Sequence, residues 1–258
     1  MQNRSFTFTR AITRAPSPSI INGLRAADTG APDFARMQRD HGDYIKALKT
    51  AEIEVINLPA LPDFPDAQFV EDTALCLPKG AILMRPGAPS RMGEVAEMAP
   101  CLAKHYDLHE IKTGFIEGGD ILTTDTEILV GLSDRTDIRG IKELAALTKD
   151  WGYTVRTVQT PAGVLHFKTD CSLLDGRTIL STKRLSDSGC FANYNVIHTA
   201  NGEDAAANAI RVNDHVIMAS GFPKTAEILR NAGYQIIKIN NSECAKIDGG
   251  MSCLSLRF

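Results

Sequence analysis

Two side chains in this sequence have the chemistry of a nucleophile and its base, and they lie far apart in the chain. Cys253 ends the run Ile247-Asp248-Gly249-Gly250-Met251-Ser252-Cys253. Paired glycines let a backbone approach a ligand closely or adopt positive φ, so a cysteine just beyond them falls at the mouth of a site. His166 opens the segment His166-Phe167-Lys168-Thr169-Asp170, directly before a strand-like run. A histidine so placed suits the general base of a Cys–His pair, which meets through the fold and not through the chain. Cys76, Cys101, Cys171, Cys190 and Cys244 lack such a context and read as inert structural thiols. The remaining histidines read as ordinary core or surface residues. His105 and His109 share an i,i+4 spacing, but no third ligand accompanies them as a metal site requires.

Acids stand at comparable places. Glu71 and Asp72 close Phe69-Val70-Glu71-Asp72, and Glu117 and Asp120 frame Ile116-Glu117-Gly118-Gly119-Asp120. Asp72, Asp120, His166, Asp214 and Cys253 recur at intervals of 48, 46, 48 and 39 residues. A period of this size signals a closed or stacked repeat. Equivalent positions of a closed repeat point at one axis, so these groups are expected to converge. A cysteine, a histidine and several carboxylates in one pocket describe a site for a cation with an electrophilic carbon.

The elements that must position them follow from turn signals between apolar runs. TALCL and AILMR flank Pro78-Lys79-Gly80, ILTT and EILVG flank Asp125-Thr126, CSLL and TILST flank Asp175-Gly176, and AIRV and HVIMAS flank Asn213-Asp214. Between these four hairpins the 3.6-residue period predicts helices. One covers 33–50, capped by Asp33, with Phe34, Met37, Tyr44, Ile45 and Leu48 on one face. Another covers 137–151, capped by Asp137 and stopped by Gly152, with Ile138, Ile141, Leu144, Ala145 and Trp151 together. Residues 225–232 repeat the pattern with Ala226, Ile228, Leu229 and Ala232, and 93–104 is a weaker segment. Mixed hairpin and helix repeats predict an α/β fold with one continuous core, a single catalytic domain over residues 1–258.

The bulk numbers narrow the partners. Hydrophobic residues make up 43% and charged residues 23% of 258, ordinary for a globular chain and not for a disordered one. The net charge of -3 argues against a nucleic-acid partner, which needs a basic footprint. No apolar run is long enough to span a bilayer, and MQNRSFTFTRAITRAP alternates where a signal peptide would be continuously apolar. Six cysteines without a C-x-x-C spacing fit neither a zinc site nor a disulfide scaffold, so a reduced cytoplasmic compartment is expected. No Gly-rich phosphate loop is present, so no nucleotide-dependent function is expected.

FVED, EGGD, HFKTD and IDGGMSCLS, in that order and at these spacings, resemble the guanidino-group-modifying superfamily with the pentein fold. Within it the sequence is most similar to the dimethylarginine dimethylaminohydrolase family, through FPDAQFVEDTA, RPGAPSR, GLSDRTDIRG and GGMSCLSLRF. The resemblance covers essentially the whole chain. It implies a five-bladed α/β propeller with pseudo-fivefold repeats. It also implies hydrolysis of asymmetric dimethylarginine and monomethylarginine to citrulline plus dimethylamine or methylamine, through a covalent S-alkylthiouronium on Cys253. The catalytic set it implies is Cys253, His166 and Glu117. Substrate contacts would come from Glu71 and Asp72 at the guanidinium, and from Arg85 and Arg135 at the α-carboxylate. Asp66 and the Ile247 backbone would lie near the α-amine, and Leu24 would act as a lid. The expected partner is this small molecule, with no cofactor, metal, nucleic acid or membrane; a homodimer is left open.

Two other readings accompany it. One is arginine deiminase, which shares the core and for which EGGD is the more usual spelling, although deiminases usually carry an inserted helical domain for which this chain has no room. The other is a catalytically silent, ribosome-binding pentein. The joint presence of Cys253, His166 and Glu117 and the acidic pI argue against it.

Overall fold

All four sequence hairpins form, and each acquires a third strand that the turn signals did not reveal. The computed structural model describes residues 5–258; the first four residues of the alternating N-terminal run lie outside them. In chain order the elements are β1 (Arg10–Arg14), α1 (Phe34–Thr50) and β2 (Glu54–Leu58), then β3 (Ala74–Leu77), β4 (Gly80–Leu83), α2 (Glu94–Leu102) and β5 (Leu108–Glu110). The next repeat holds β6 (Ile121–Thr123), β7 (Glu127–Leu132), α3 (Ile138–Thr148) and β8 (Thr154–Gln159). After it come β9 (Cys171–Leu173), β10 (Thr178–Ser181), α4 (Lys183–Ser186) and β11 (Asn195–His198). The last part of the chain supplies β12 (Ile210–Val212), β13 (His215–Ala219), α5 (Pro223–Asn231), β14 (Gln235–Ile239), α6 (Ser242–Ala245) and β15 (Leu256–Arg257).

These make five three-stranded sheets, β15-β1-β2, β3-β4-β5, β6-β7-β8, β9-β10-β11 and β12-β13-β14. In each, the first two strands are antiparallel and the third returns parallel. A parallel return needs a crossover, which the intervening helix or helical turn provides. One blade is built from both ends of the chain: β15 pairs with β1, and Phe258 exchanges backbone hydrogen bonds with Arg10. This five-bladed α/β propeller is the pentein architecture expected from the motifs.

The predicted helix signals act locally as read. Asp33 accepts from the Arg36 N–H, and Asp137 accepts from Arg139 and Gly140, satisfying first-turn donors that the helix itself cannot. Gly152 ends the turn after α3 with φ 91°, in the left-handed region. Three expected core positions are corrected. Ile138 and Ile228 are 45% and 38% exposed, and Ala232, just past the end of α5, is exposed too; the buried faces are filled by Ile141 and Leu144 and by Ala226 and Leu229.

A 3-10 turn precedes the inner strand of every blade: Val70–Thr73, Gly118–Asp120, Phe167–Thr169, Asp204–Ala207 and Ser252–Leu254. The first four turns pack in succession, and the fifth packs against the first. Side-chain acceptors tie them: Asp72 Oδ1 takes the Gly119 N–H at 2.7 Å, Asp120 Oδ1 that of Phe167 at 2.8 Å, and Asn208 Oδ1 that of Ser252 at 2.9 Å. Asp214 is therefore not the fourth repeat position. It is exposed in the β12–β13 hairpin turn, and Asn208, just after the fourth axial turn, occupies that place.

Candidate active site

The axial turns carry Asp72, His166 and Cys253 to the wall of one cavity of about 160 Å³. Leu24, Asp66, Phe69, Arg91, Arg135, Ile247 and Asp248 complete most of its lining. The two glycines before Cys253 are explained by close neighbours. A Cβ on Gly249 would meet the Phe69 ring at 2.4 Å, and one on Gly250 would meet the Asn208 side chain at 2.2 Å. The pair in EGGD has the same cause: a Cβ on Gly118 would fall 2.0 Å from the Glu71 carbonyl, and one on Gly119 would fall 2.6 Å from the His166 ring.

Glu117 is fully buried behind His166, and its Oε2 lies 2.6 Å from His166 Nε2. Its Oε1 accepts from the Gly87 and Ala88 N–H groups at 2.9 and 3.2 Å, with Arg135 at 3.4 Å. Burial would raise the Glu117 pKa; the bond to His166, together with the charges of His166 and Arg91, outweighs it and holds the carboxyl below its ordinary value. Burial alone would lower the His166 pKa. Asp72, Asp120 and Glu117 overcome that and bring it up to about 9, so the ring is an imidazolium at neutral pH.

Cys253 has the opposite balance. Burial, then the negative charges of Glu71 and Asp72, push its thiol up to about 12, against the Gly250 N–H that approaches Sγ at 3.5 Å. The thiol is thus held neutral by its own surroundings, and a cation close to the sulfur would favour the thiolate. Asp72 is buried, which raises its pKa, but Arg91 and His166 hold it down to about 2. Asp66 is buried and raised by that burial; both its oxygens accept from the Leu24 N–H, at 3.0 and 3.3 Å.

Two expected substrate contacts stand elsewhere. Arg85 does not line the cavity: it donates to the Gly114 carbonyl at 2.7 Å and stacks over Phe115 at 4.6 Å. The arginine of RPGAPSR that reaches the cavity is Arg91, which pairs with Asp72 and with Glu94. The motif signalled an arginine, but its two ends are equivalent in sequence; Arg85 is bridged to Ile116 and held by Gly114 and Phe115 away from the cavity. Glu71 lines a separate cavity, where its Oε1 accepts from Lys168 and Arg257. Leu24 follows Gly23 on a partly exposed loop latched by the Ala26 N–H to Asp248 Oδ2 at 2.6 Å.

Asp72, Glu117 and His166 bring ligating atoms within 4.8 Å of one another, a spacing a metal could bridge. Their donors are already used. Arg91 neutralises Asp72, Glu117 holds His166 Nε2, and a protonated imidazole is not a ligand. The cluster is better matched to a proton and a planar cation.

A family model described as arginine deiminase matches residues 60–159. The chain is 37% identical over 254 residues to N(G),N(G)-dimethylarginine dimethylaminohydrolase of Pseudomonas aeruginosa, covering 97% of this chain and all of that protein. The chain belongs to the dimethylarginine dimethylaminohydrolase family. The Streptomyces coelicolor member is 29% identical, with 96% of each chain covered. The structure of a cysteine-to-serine mutant of the Pseudomonas aeruginosa enzyme complexed with citrulline superposes with a TM-score of 0.95 at 36% identity, over 98% of this chain and all of that one. A further structure of that family, a histidine-to-glycine variant as an adduct with S-methyl-L-thiocitrulline, gives 0.94 at 36% identity, over 97% of this chain and all of that one. An N-terminal domain of an arginine dihydrolase, 19% identical and covering 96% of each chain, shares the fold with a TM-score of 0.86.

Proposed function

We propose that this chain hydrolyses asymmetrically N-methylated arginines to citrulline and dimethylamine or methylamine, with residues 1–258 acting as one catalytic unit. The observation that carries the reading is the pairing of a buried thiol, Cys253, with an imidazolium, His166, on the wall of one cavity together with carboxylates and arginines. Asp72 takes part in binding the guanidinium. Arg135 and Arg91 supply positive charge for the α-carboxylate, while Asp66 and the Ile247 backbone lie where the α-amine is expected. Leu24 closes the cavity over the substrate.

As the guanidinium arrives, the Cys253 thiol gives its proton to solvent, and the thiolate Sγ, stabilised by the cation, forms a bond to the guanidinium carbon. His166 gives its proton to the alkylated nitrogen as the C–N bond breaks, and the amine departs. The now neutral His166 takes a proton from water, whose oxygen attacks the S-alkylthiouronium carbon; the C–S bond breaks, the hydroxyl proton leaves the new C=O, and the sulfur takes up a proton, which leaves citrulline and the starting thiol. Glu117 keeps the ring oriented throughout and favours its charged form before the proton is given and after it is regained.

The arginine deiminase reading is supported by the family model over 60–159 and uses the same residues. Product analysis separates the two. Asymmetric dimethylarginine should be hydrolysed with a higher kcat/KM than arginine, with dimethylamine released, and symmetrically dimethylated arginine should be poor because methylating both terminal nitrogens disrupts a carboxylate contact. Preference for arginine with release of ammonia would move the chain to the deiminase reading. This reading implies the cytoplasm as compartment, and sedimentation at micromolar concentration tests the homodimer. Among the described residues, no helix is long and apolar enough to cross a membrane.

A further inference from the structure

The three ties between axial turns differ in one respect. Two are carboxylates, Asp72 to Gly119 and Asp120 to Phe167, whereas the tie to the turn that carries Cys253 is the amide of Asn208. Asn208 Oδ1 accepts from the backbone N–H of Ser252, the residue directly before the nucleophile, at 2.9 Å. The same side chain presses on Gly250, whose N–H approaches Cys253 Sγ at 3.5 Å. Asn208 therefore contacts the nucleophile's turn on both sides of Met251, and it reaches there from another blade.

We propose that Asn208 is a positioning residue for Cys253, and that its neutrality is the functional point. It makes the tie that aspartate makes in two other seams without placing a further negative charge beside a sulfur that must ionise. The inference rests on Cys253 reacting as a thiolate. The charged and titratable groups already around that sulfur show why another anion is costly. The Val70–Thr73 turn presents Glu71 and Asp72, and the segment 166–169 presents His166 and Lys168. α6 presents Cys244, and the sulfur's own loop presents Asp248. Asp66, Arg91 and Arg135 complete the charged lining, with Glu117 behind His166 and Arg257 beyond Glu71. Two carboxylates in this set already oppose ionisation. The fourth axial turn adds none: Asp204 is exposed, and Glu203 is held by the Lys224 and Thr225 N–H groups.

The test uses the whole chain and a reagent that is not a guanidine. Iodoacetamide alkylation of Cys253 is followed by mass spectrometry between pH 6 and pH 9, alongside turnover of asymmetric dimethylarginine. Asn208→Asp preserves the acceptor and its size but adds charge. It should slow alkylation about tenfold at every pH below the thiol pKa, with an unchanged slope of log rate against pH. Asn208→Ala loses the tie and adds no charge, so it should lower kcat without that uniform slowing. If Asn208→Asp fails to fold, Asp72→Asn is the second arm; removing a carboxylate from a neighbouring tie should speed alkylation. Alkylation of Asn208→Asp at the wild-type rate, or no acceleration in Asp72→Asn when Asn208→Asp does not fold, would overturn the inference. Wild-type failure to turn over methylarginines would instead sink the proposed function, and the alkylation comparison would still stand.

Discussion

His166 Nε2 stands 2.6 Å from Glu117 Oε2, and both side chains are almost wholly withdrawn from water. A buried imidazolium beside a buried carboxylate is stable only because the rest of the shell supplies the compensation: Asp72 and Asp120 for the ring, and the Gly87 and Ala88 N–H groups for the acid. The outcome is a ring that stays protonated at a pH where a free histidine would be largely neutral.

Glu117→Gln removes one of the charges that hold the proton on His166. The His166 pKa in the folded chain lies above its ordinary value of 6.5, at about 9, so protonation of this ring stabilises the fold fully below pH 6.5 and progressively less as pH rises through 9. In the variant that window should narrow, and the alkaline limb of kcat should move to lower pH. Urea midpoints at pH 6 and pH 9.5, with a pH–rate profile, check both. An unmoved alkaline limb would mean that Glu117 does not set the charge on His166.

Cys253→Ser should abolish turnover while leaving fold and substrate binding in place, because a hydroxyl is far less acidic than a thiol. Cys190→Ser should cost little, since this half-buried thiol lines neither cavity. Residual turnover in Cys253→Ser above about a tenth of wild type would rule out the covalent route.

The arginines should separate by position. Arg135→Ala removes a charge-assisted contact worth about 1.5–3 kcal/mol and should act mainly as a raised KM for substrates that carry an α-carboxylate. Arg91→Ala should be more severe and should also destabilise the fold, because it strands the buried Asp72 and Glu94. Arg85→Ala should be the mildest of the three in kcat/KM. Equal losses from Arg85→Ala and Arg135→Ala would overturn the reassignment of the carboxylate contact from Arg85 to Arg91.

Gly119→Ala should act on the base without touching the substrate. The added Cβ would fall 2.6 Å from His166 Nδ1, so the ring must shift. The overpacking should cost about 1–3 kcal/mol of stability and most of kcat. A melting curve and a turnover number indistinguishable from wild type would contradict the placement of the ring.

Activity should survive exhaustive chelation. The Asp72, Glu117 and His166 cluster has metal-like spacing, but its donors are committed to Arg91 and to each other. Loss of turnover on chelation, restored by a divalent ion, would move the chemistry to a metal-activated water.

What the sequence determined by itself was local or periodic. The caps at Asp33 and Asp137 and the hairpin turns depend on a few adjacent residues, so they were legible directly. The recurrence of Asp72, Asp120 and His166 at nearly constant spacing, with Cys253 87 residues further on, marked the turns that meet at one axis. The third strands were not legible, because runs such as Asn195–His198 and Gln235–Ile239 are short and half-buried and carry no turn signal of their own. Nor was the blade that joins β15 to β1 across the whole chain. Asp214 matched the period yet fell in an exposed hairpin turn, while Asn208, with no chemical signature, took the repeat position. Arg85 and Arg91 were interchangeable as letters in one motif. Tertiary structure decided between them, because Gly114 and Phe115 hold one away from the cavity while Asp72 and Glu94 hold the other at it. Spacing along a chain fixes which turns meet, but the side chain that faces the cavity is set by partners from other blades, and those are contacts no local pattern encodes.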